Sequence, residues 1–343
     1  MAKLFKRKEV ETASMDAAEN AIANKEVEGL SQRQIVIKRF IHHRAAMIAL
    51  FSLILITLIV NTALEFKIGP WKIHGWWKYK VTDIPELRYK ECPGQVIGCP
   101  TLKLFPPSLG EHPFGQDDIG RDYLALVMRG AQRSLMVAFV IGILGGVIGT
   151  IVGAISGFYR GVVDSVLMRF VDFVITVPAI IIGSVIGYRY GNLGAGFLAI
   201  YLGLFSWTGL SRLVRGEFLK LREMEFVDAA RVAGASNRRI IFKHILPNAV
   251  GIIIVSVTLL MSSAILLETA LSYIGFGVVA PDVSLGLLIS TYQDSFTSRP
   301  FLFWWPGFFI ISIALSINFI GDGLRDAFDP RQRRRVSRKE RGK

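Results

Sequence analysis

The sequence predicts an all-α polytopic membrane protein with six transmembrane helices, and three observations carry that expectation. Mean hydropathy is +0.44 although the formal net charge is +13, from 40 Lys and Arg against 27 Asp and Glu in 343 residues. A hydrophobic share of 52% is too high for a soluble core under so basic a surface, unless the apolar residues come in blocks. They do: charge-poor runs long enough to cross about 30 Å of hydrocarbon at about 1.5 Å per residue recur along the chain. A collagen-like, disordered or disulfide-stapled chain is excluded by 33 Gly without a period, 23 Phe and only 2 Cys.

The first run covers 45–64, twenty residues without a charge. About forty-four mostly polar residues precede it, and its apolar stretch exceeds the 7 to 15 of a signal core, so it is expected to stay as the first span (45–65) rather than be cleaved. Further runs at 135–158, 170–188, 193–210, 249–274 and 303–320 complete six spans and place both termini on one side. Lys38, Arg39 and Arg44 before the first span, and Arg331, Arg333, Arg334, Arg335, Arg338, Lys339, Arg341 and Lys343 after the last, make that side the cytoplasm. The organisation that follows is a cytoplasmic segment 1–44, an external loop 66–133, a five-helix core 134–322 and a basic cytoplasmic tail 323–343. The loop carries many basic residues, but loops longer than about 60 residues largely escape the charge rule. The tail is most simply an anchor to the lipid bilayer, worth about 1 kcal/mol per charge near the surface, and not a nucleic-acid site.

Both cysteines, Cys92 and Cys99, lie in the external loop around a Pro93-Gly94 turn. The compartment permits a disulfide between them; two free thiols are the alternative, and no His or further Cys at ligand spacing suggests a metal. Trp71, Trp76, Trp77 and Tyr79 follow the first span as an interfacial aromatic belt would, or as a partner surface would. In the second span Gly145, Gly149, Gly153 and Gly157 recur every four residues, a helical face on which backbones approach closely in lipid. Asp172 and Glu268 are carboxylates near predicted membrane ends; such groups are functional by default, although either one is equally served by an arginine partner or a capping role.

Between spans four and five, apolar residues at 214, 218, 221, 224, 227 and 230 form one stripe at helical period that stops at Gly234, a residue suited to a left-handed turn. Ser236 is placed to cap a second helix, and Leu246-Pro247 is expected to end it. No G-x4-G-K-[ST], H-E-x-x-H or G-x-S-x-G occurs, and the five histidines fall outside the spans, so an enzyme or an ATP site in this chain is not indicated.

The cytoplasmic segment 212–247 resembles a known family. Asp228-Ala229-Ala230, Gly234 and Leu246-Pro247 stand at the spacing of the EAA loop of ATP-binding-cassette importer permeases, with Asp in place of Glu. His244 departs from the general pattern, but His244-Ile245-Leu246-Pro247-Asn248 is similar to the dipeptide and oligopeptide (and nickel) branch. The runs 112–122, 157–164, 268–277 and 321–331 also look like the C-type subunit of that branch, whereas 67–107 does not, and Leu285 stands where Trp is frequent.

The resemblance implies a type I importer permease fold in a prokaryotic cell membrane. It implies that ATP and Mg are bound by two partner ATPases, and that the remaining partners are a second homologous permease and an extracytoplasmic solute-binding protein. Asp228, Ala229, Ala230, Gly234, His244, Leu246 and Pro247 would then form the ATPase-coupling site, and no cofactor would be bound by this chain itself. The cargo implied is a di- or oligopeptide, with nickel, glutathione or another small solute as alternatives in the same class. A gradient-driven secondary transporter and a membrane scaffold are the competing classes; the halves show no pairing of the kind secondary transporters carry.

Overall fold

The computed structural model describes residues 32–68, 71–86, 98–103 and 108–328. The basic residues 331–343 and Cys92 lie outside them. The bundle is helical apart from a small antiparallel hairpin, β1 (Phe66–Ile68) and β2 (Trp71–Ile73), just beyond the first span. A short helix α1 (Gln32–His42) leads into α2 (Arg44–Ala63), whose first turn is capped by His43 accepting from Ala46 N at 3.1 Å. The second span is longer than hydropathy alone implies. Helix α3 (Tyr123–Tyr159) has 37 residues, about 55 Å, and begins twelve residues before the expected start at 135. Its first turns carry Arg129, Gln132 and Arg133, which dilute the hydropathy without breaking the helix.

Asp122 starts α3 and organises the loop that precedes it. Its Oδ2 accepts from Ala125 N at 2.9 Å and from Trp77 Nε1 at 2.7 Å, while His112 Nδ1 lies 2.8 Å from Oδ1. Tyr79 stacks on His112 and donates to Glu111 at 2.7 Å. Trp77 and Tyr79 are therefore tied into the loop by polar partners; the half-exposed Trp76, which donates to Thr62, better suits the boundary position expected of the whole group.

The third apolar run is not one straight helix but a pair, α4 (Gly161–Thr176) and α5 (Ala179–Tyr190, continued by one 3-10 turn to Leu193), bent by 68°. Pro178 causes the break, because its ring keeps Val177 out of the helical region (φ −91°, ψ 117°). Helices α6 (Ala195–Gly203) and α7 (Thr208–Leu221) follow as one 27-residue apolar stretch with a tight turn between them. After the short helix α8 (Glu225–Val232) comes a continuous helical rod of 37 residues, α9 (Asn237–Tyr273). The short helix α10 (Leu285–Tyr292) and the last apolar helix α11 (Phe301–Phe328) complete the fold.

Leu246-Pro247 marks a change of helix type rather than a break: Pro247 stands in the first turn of the α-helix Leu246–Tyr273, as expected of a proline at a helix start, but the backbone before it stays helical. Residues Ile240–Ile245 widen into a π-turn, in which Leu246 N donates to Ile241 O. A widened turn leaves room for the proline ring and tolerates its missing N–H, so the helix runs on into the fifth span.

The glycine face of α3 meets α7. A Cβ on Gly149 would stand 2.9 Å from Trp207 O, one on Gly153 2.4 Å from Ser211 O, and one on Gly157 2.7 Å from Arg215 O. Gly145 faces Leu260 of α9 and Ser206 instead. The two helices thus pack backbone to backbone, which is how lipid-embedded helices gain contact when no hydrophobic force separates protein from solvent.

Gly153→Leu is expected to force α3 and α7 apart, destabilising the protein by about 1–3 kcal/mol or more, as overpacking does. Gly216→Ala on α7, where an added Cβ meets nothing within 4 Å, is the control and should leave thermal unfolding in detergent unchanged or slightly raised.

Candidate functional site

Helix α8 has only eight residues, too few to persist alone, so its shape is held by what lies under it. Val227 is fully buried against Val214, Phe218 and Leu221 of α7, Phe158 of α3, and Ile240, Ile241 and Ile245 of α9, with Ala230 and Ala235 packed on the same cluster. Burial of a valine contributes about 1.5–3 kcal/mol, and it fixes the orientation of the rest. The opposite face is open: Asp228, Ala229 and Ala233 are exposed, and Val232 is 90% exposed. Phe226 and Phe242 extend this apolar surface on either side.

Gly234 ends α8 in the left-handed region, at φ +76°. Its N–H donates to Arg231 O at 2.9 Å and the N–H of Ala235 donates to Ala230 O at 3.0 Å, the paired bonds of a Schellman turn, while a Cβ at Gly234 would touch nothing. The requirement for glycine is therefore one of backbone conformation. Ser236 then caps α9, its hydroxyl accepting from Arg239 N at 3.4 Å. Asp228 is 62% exposed and, among the described residues, pairs with Arg231 of its own helix, at 2.7 Å. His244 is half-buried in the π-turn, Leu246 is half-buried beside the core, and Pro247 is exposed.

Sequence reading joined α7 and α8 into one apolar stripe; the structure separates them at 222–224. There Arg222 Nη1 donates to the Phe158 carbonyl, and its guanidinium lies 5.7 Å from the Phe158 ring. Burial holds that guanidinium below its ordinary range, with the positive charges of Arg160 and Arg231 adding to the effect. Arg160 itself, at φ +57° between α3 and α4, reaches Glu223 at 2.6 Å. Deeper in, Arg215 of α7 grips Asp164 of α4 in a two-pronged pair at 2.6 and 2.7 Å, and the Ser156 hydroxyl donates to the same carboxylate. Asp164, Arg215 and Arg222 were not singled out from sequence. Their signal was their placement, since charged residues pressed against apolar spans need partners.

The two carboxylates singled out from sequence have different surroundings. Asp172 is exposed and ion-paired with Arg212 at 2.5 Å, well away from α8 in sequence and on the outer surface of α4. Glu268 is fully buried in α9, far along the rod from the α8 end, with hydroxyls around it. Cys99 is disulfide-bonded. Among the described residues no cluster of three His, Cys, Asp or Glu is arranged to hold a metal.

The comparisons with known proteins agree with one another. Residues 149–334 match the family described as binding-protein-dependent transport system inner membrane component. The chain is 38% identical over 319 residues to the oligopeptide transport system permease protein OppC of Escherichia coli strain K12, covering 93% of this chain and 97% of that protein. It is 36% identical over 304 residues to OppC of Mycobacterium tuberculosis strain H37Rv, covering 88% and 96%. Among solved structures, an inward-facing form of the MetNI methionine ABC transporter matches with a TM-score of 0.50 and 20% identity, over 60% of this chain and 96% of that one, a likeness of fold alone.

Asp164→Ala should lower stability by about 2–3 kcal/mol, because it strips a charged hydrogen-bond partner from Arg215 and leaves Ser156 unsatisfied. Asp172→Ala, which opens an exposed pair, should cost less than about 1 kcal/mol. Unfolding of both variants in mixed micelles checks the contrast; equal losses would mean that the Asp164 pair has no special structural weight.

Proposed function

The chain belongs to the family of binding-protein-dependent transport system inner membrane components, and from that premise we propose that it works as follows. It is a permease subunit of an ATP-binding-cassette importer, and the cargo is an oligopeptide, as the names of its relatives suggest. Two partner ATPases bind ATP and Mg, a second permease completes the pathway, and an extracytoplasmic solute-binding protein delivers the cargo. Both termini and α8 face the cytoplasm, in agreement with the basic residues that flank the first and last spans.

One observation carries the reading: a short helix buried on one face by Val227 and presented on the other as an exposed, small-residue and apolar surface. Ala229 and Ala233 let a groove close over the helix, while Val232, Phe226 and Phe242 supply apolar contact. Asp228 supplies an acceptor. Moving a two-state equilibrium from 1:99 to 99:1 takes about 5.5 kcal/mol of differential binding, several times what one exposed ion pair gives. A shape-matched dock on α8, strengthened when the ATPases close on nucleotide, meets that requirement; the Asp228 charge alone does not.

The first test is mass-spectrometric identification of the chains that co-purify with a tagged copy in mild detergent, with ATP hydrolysis assayed on the same sample. ATPases and a second permease are expected; a lone chain that moves solute under an ion gradient would overturn the importer reading. Uptake assays with peptides, nickel and glutathione then separate the cargo classes.

Gly234→Pro cannot adopt φ +76° and loses the N–H that closes the turn, while Asp228→Arg reverses the charge on the docking face. Both variants should insert normally and still associate with ATPase, yet hydrolysis should no longer drive uptake. Normal transport by either one would remove the coupling role from α8.

A further inference from the structure

The rod α9 has polar machinery at both ends. One end begins beside α8. About 36 Å along the rod, at 1.5 Å per residue from His244, stands Glu268, with no exposed surface. Among the described residues no basic side chain pairs with it. Its partners are hydroxyls: Ser134 of α3 donates to Oε2 at 3.0 Å, and Ser272, one turn further along α9, donates to Oε1 at 2.8 Å.

Those hydroxyls reach the external helix α10. Ser272 Oγ lies 3.4 Å from Ser284 Oγ, and Ser284 caps α10 by accepting from Leu287 N at 3.1 Å. Ser134 Oγ also accepts from Leu285 N at 3.4 Å, and Ser272 Oγ from Val278 N at 3.2 Å. The backbones are pressed together at the same place, since a Cβ on Gly286 would stand 2.7 Å from Thr269 Cα. One carboxyl therefore gathers the far end of α9, the start of α10 and the flank of α3 into a single hydrogen-bonded knot. In lipid such bonds cannot be exchanged for water, so the knot resists separation of the three elements.

We infer that Glu268 is a positioning residue for transport: it locks α10 to α9, so that displacement of the rod at the α8 end is delivered to the external helix at the other. This rests on the importer reading above and adds to it the element moved at the far end. The rod suits the role because the π-turn at Ile240–Ile245 lets it pass Pro247 without a break. The external helix suits it because it is short and anchored at its first turn by Ser284 and Leu285, both fully buried.

The test uses the complete importer, reconstituted in vesicles with its ATPases, second permease and solute-binding protein, with labelled trialanine as the probe. Uptake and ATP hydrolysis are measured on the same vesicles, and assembled complex is quantified. The wild type must first show hydrolysis-driven uptake; if it does not, the importer reading for peptides fails before this inference is reached.

With a coupled wild type, Glu268→Ala should lower peptide taken up per ATP by about tenfold in the complexes that assemble, equivalent to about 1.4 kcal/mol. Glu268→Gln, which keeps two hydrogen-bonding atoms, should restore the ratio to near the wild-type value. Should Glu268→Ala assemble too poorly to assay, Ser134→Ala with Ser284→Ala keeps the carboxyl and removes its links to α3 and α10, and the ratio should again fall. An unchanged ratio in assembled complexes, whatever their amount, would reduce Glu268 to a folding role and overturn the inference. Failure of Glu268→Gln as complete as that of Glu268→Ala would also overturn it, because charge and not hydrogen bonding would then be the requirement.

Discussion

The backbone contact between α3 and α7 is the constraint on which the rest of this structure depends. A soluble bundle is pulled together by the exclusion of water, but lipid chains solvate leucine as well as another helix does, so apolar side chains alone give the spans no reason to choose one another. Gly149, Gly153 and Gly157 remove side chains from one face of α3, and the Trp207, Ser211 and Arg215 carbonyls of α7 move into the space. Once that seam is set, the axial register of α7 is set too. Phe218 and Leu221 then arrive where Val227 must dock, and Arg222 arrives at the Phe158 carbonyl, so the place of α8 is decided by glycines of α3 about seventy residues earlier in the sequence.

Polar contacts then do what apolar packing in lipid cannot: they choose partners. Near α8, Asp164, Arg215, Arg160, Glu223 and Arg222 tie α3, α4 and α7 together. At the far end, Asp282 accepts from Arg133 of α3 at 2.9 Å and from Ala195 N at the start of α6 at 3.1 Å, beside the knot around Glu268. Between these two polar layers the helices carry mostly apolar side chains, which slide against neighbours more readily than hydrogen bonds rearrange.

Much of this was legible in the sequence, and the omissions have physical reasons. Block hydropathy located the five helices long and apolar enough to cross a membrane, as well as the bent pair α4–α5, because a run of some twenty apolar residues has few other uses. It misplaced the start of α3, since a helix that rises out of the membrane keeps its hydrogen bonds while its side chains turn polar, and hydropathy registers only the side chains. Gly234 and Ser236 were readable because a left-handed stop and a cap are local properties of one or two residues. The break between α7 and α8 was not, because the apolar stripe keeps helical period across it; the backbone leaves the helix at Met224 (φ −87°, ψ 144°), a residue whose type announces no stop. The course of α9 through Pro247 was hidden for a related reason: proline announces a break, but a π-turn before it absorbs the break, and that turn leaves no composition signal. Trp77, expected in an interfacial belt or on a partner surface, also bonds Asp122, a partner 45 residues away that no local pattern announces.

The dependence of α8 on its surroundings bears on how it transmits force. Eight residues form too short a helix to be stable in water, and only Val227 is fully buried, so its helicity is lent by α3, α7 and α9 through one shared cluster. A helix stabilised from within, such as a long alanine-rich rod, would respond to a docking partner by pivoting on its linkers and would pass little on. Here, shifting α8 against the bundle would expose Val227 and pull Ala230 and Ala235 from Ile240 and Ile241. Uncovering even one such side chain costs about 1.5–3 kcal/mol. The lower-energy response to a push or pull on the exposed face is for the cluster to move as a unit and take the α9 rod with it. Under the coupling role proposed for α8, the marginal stability of the isolated helix would make it a faithful coupler, and the buried valine would matter as much as the exposed residues.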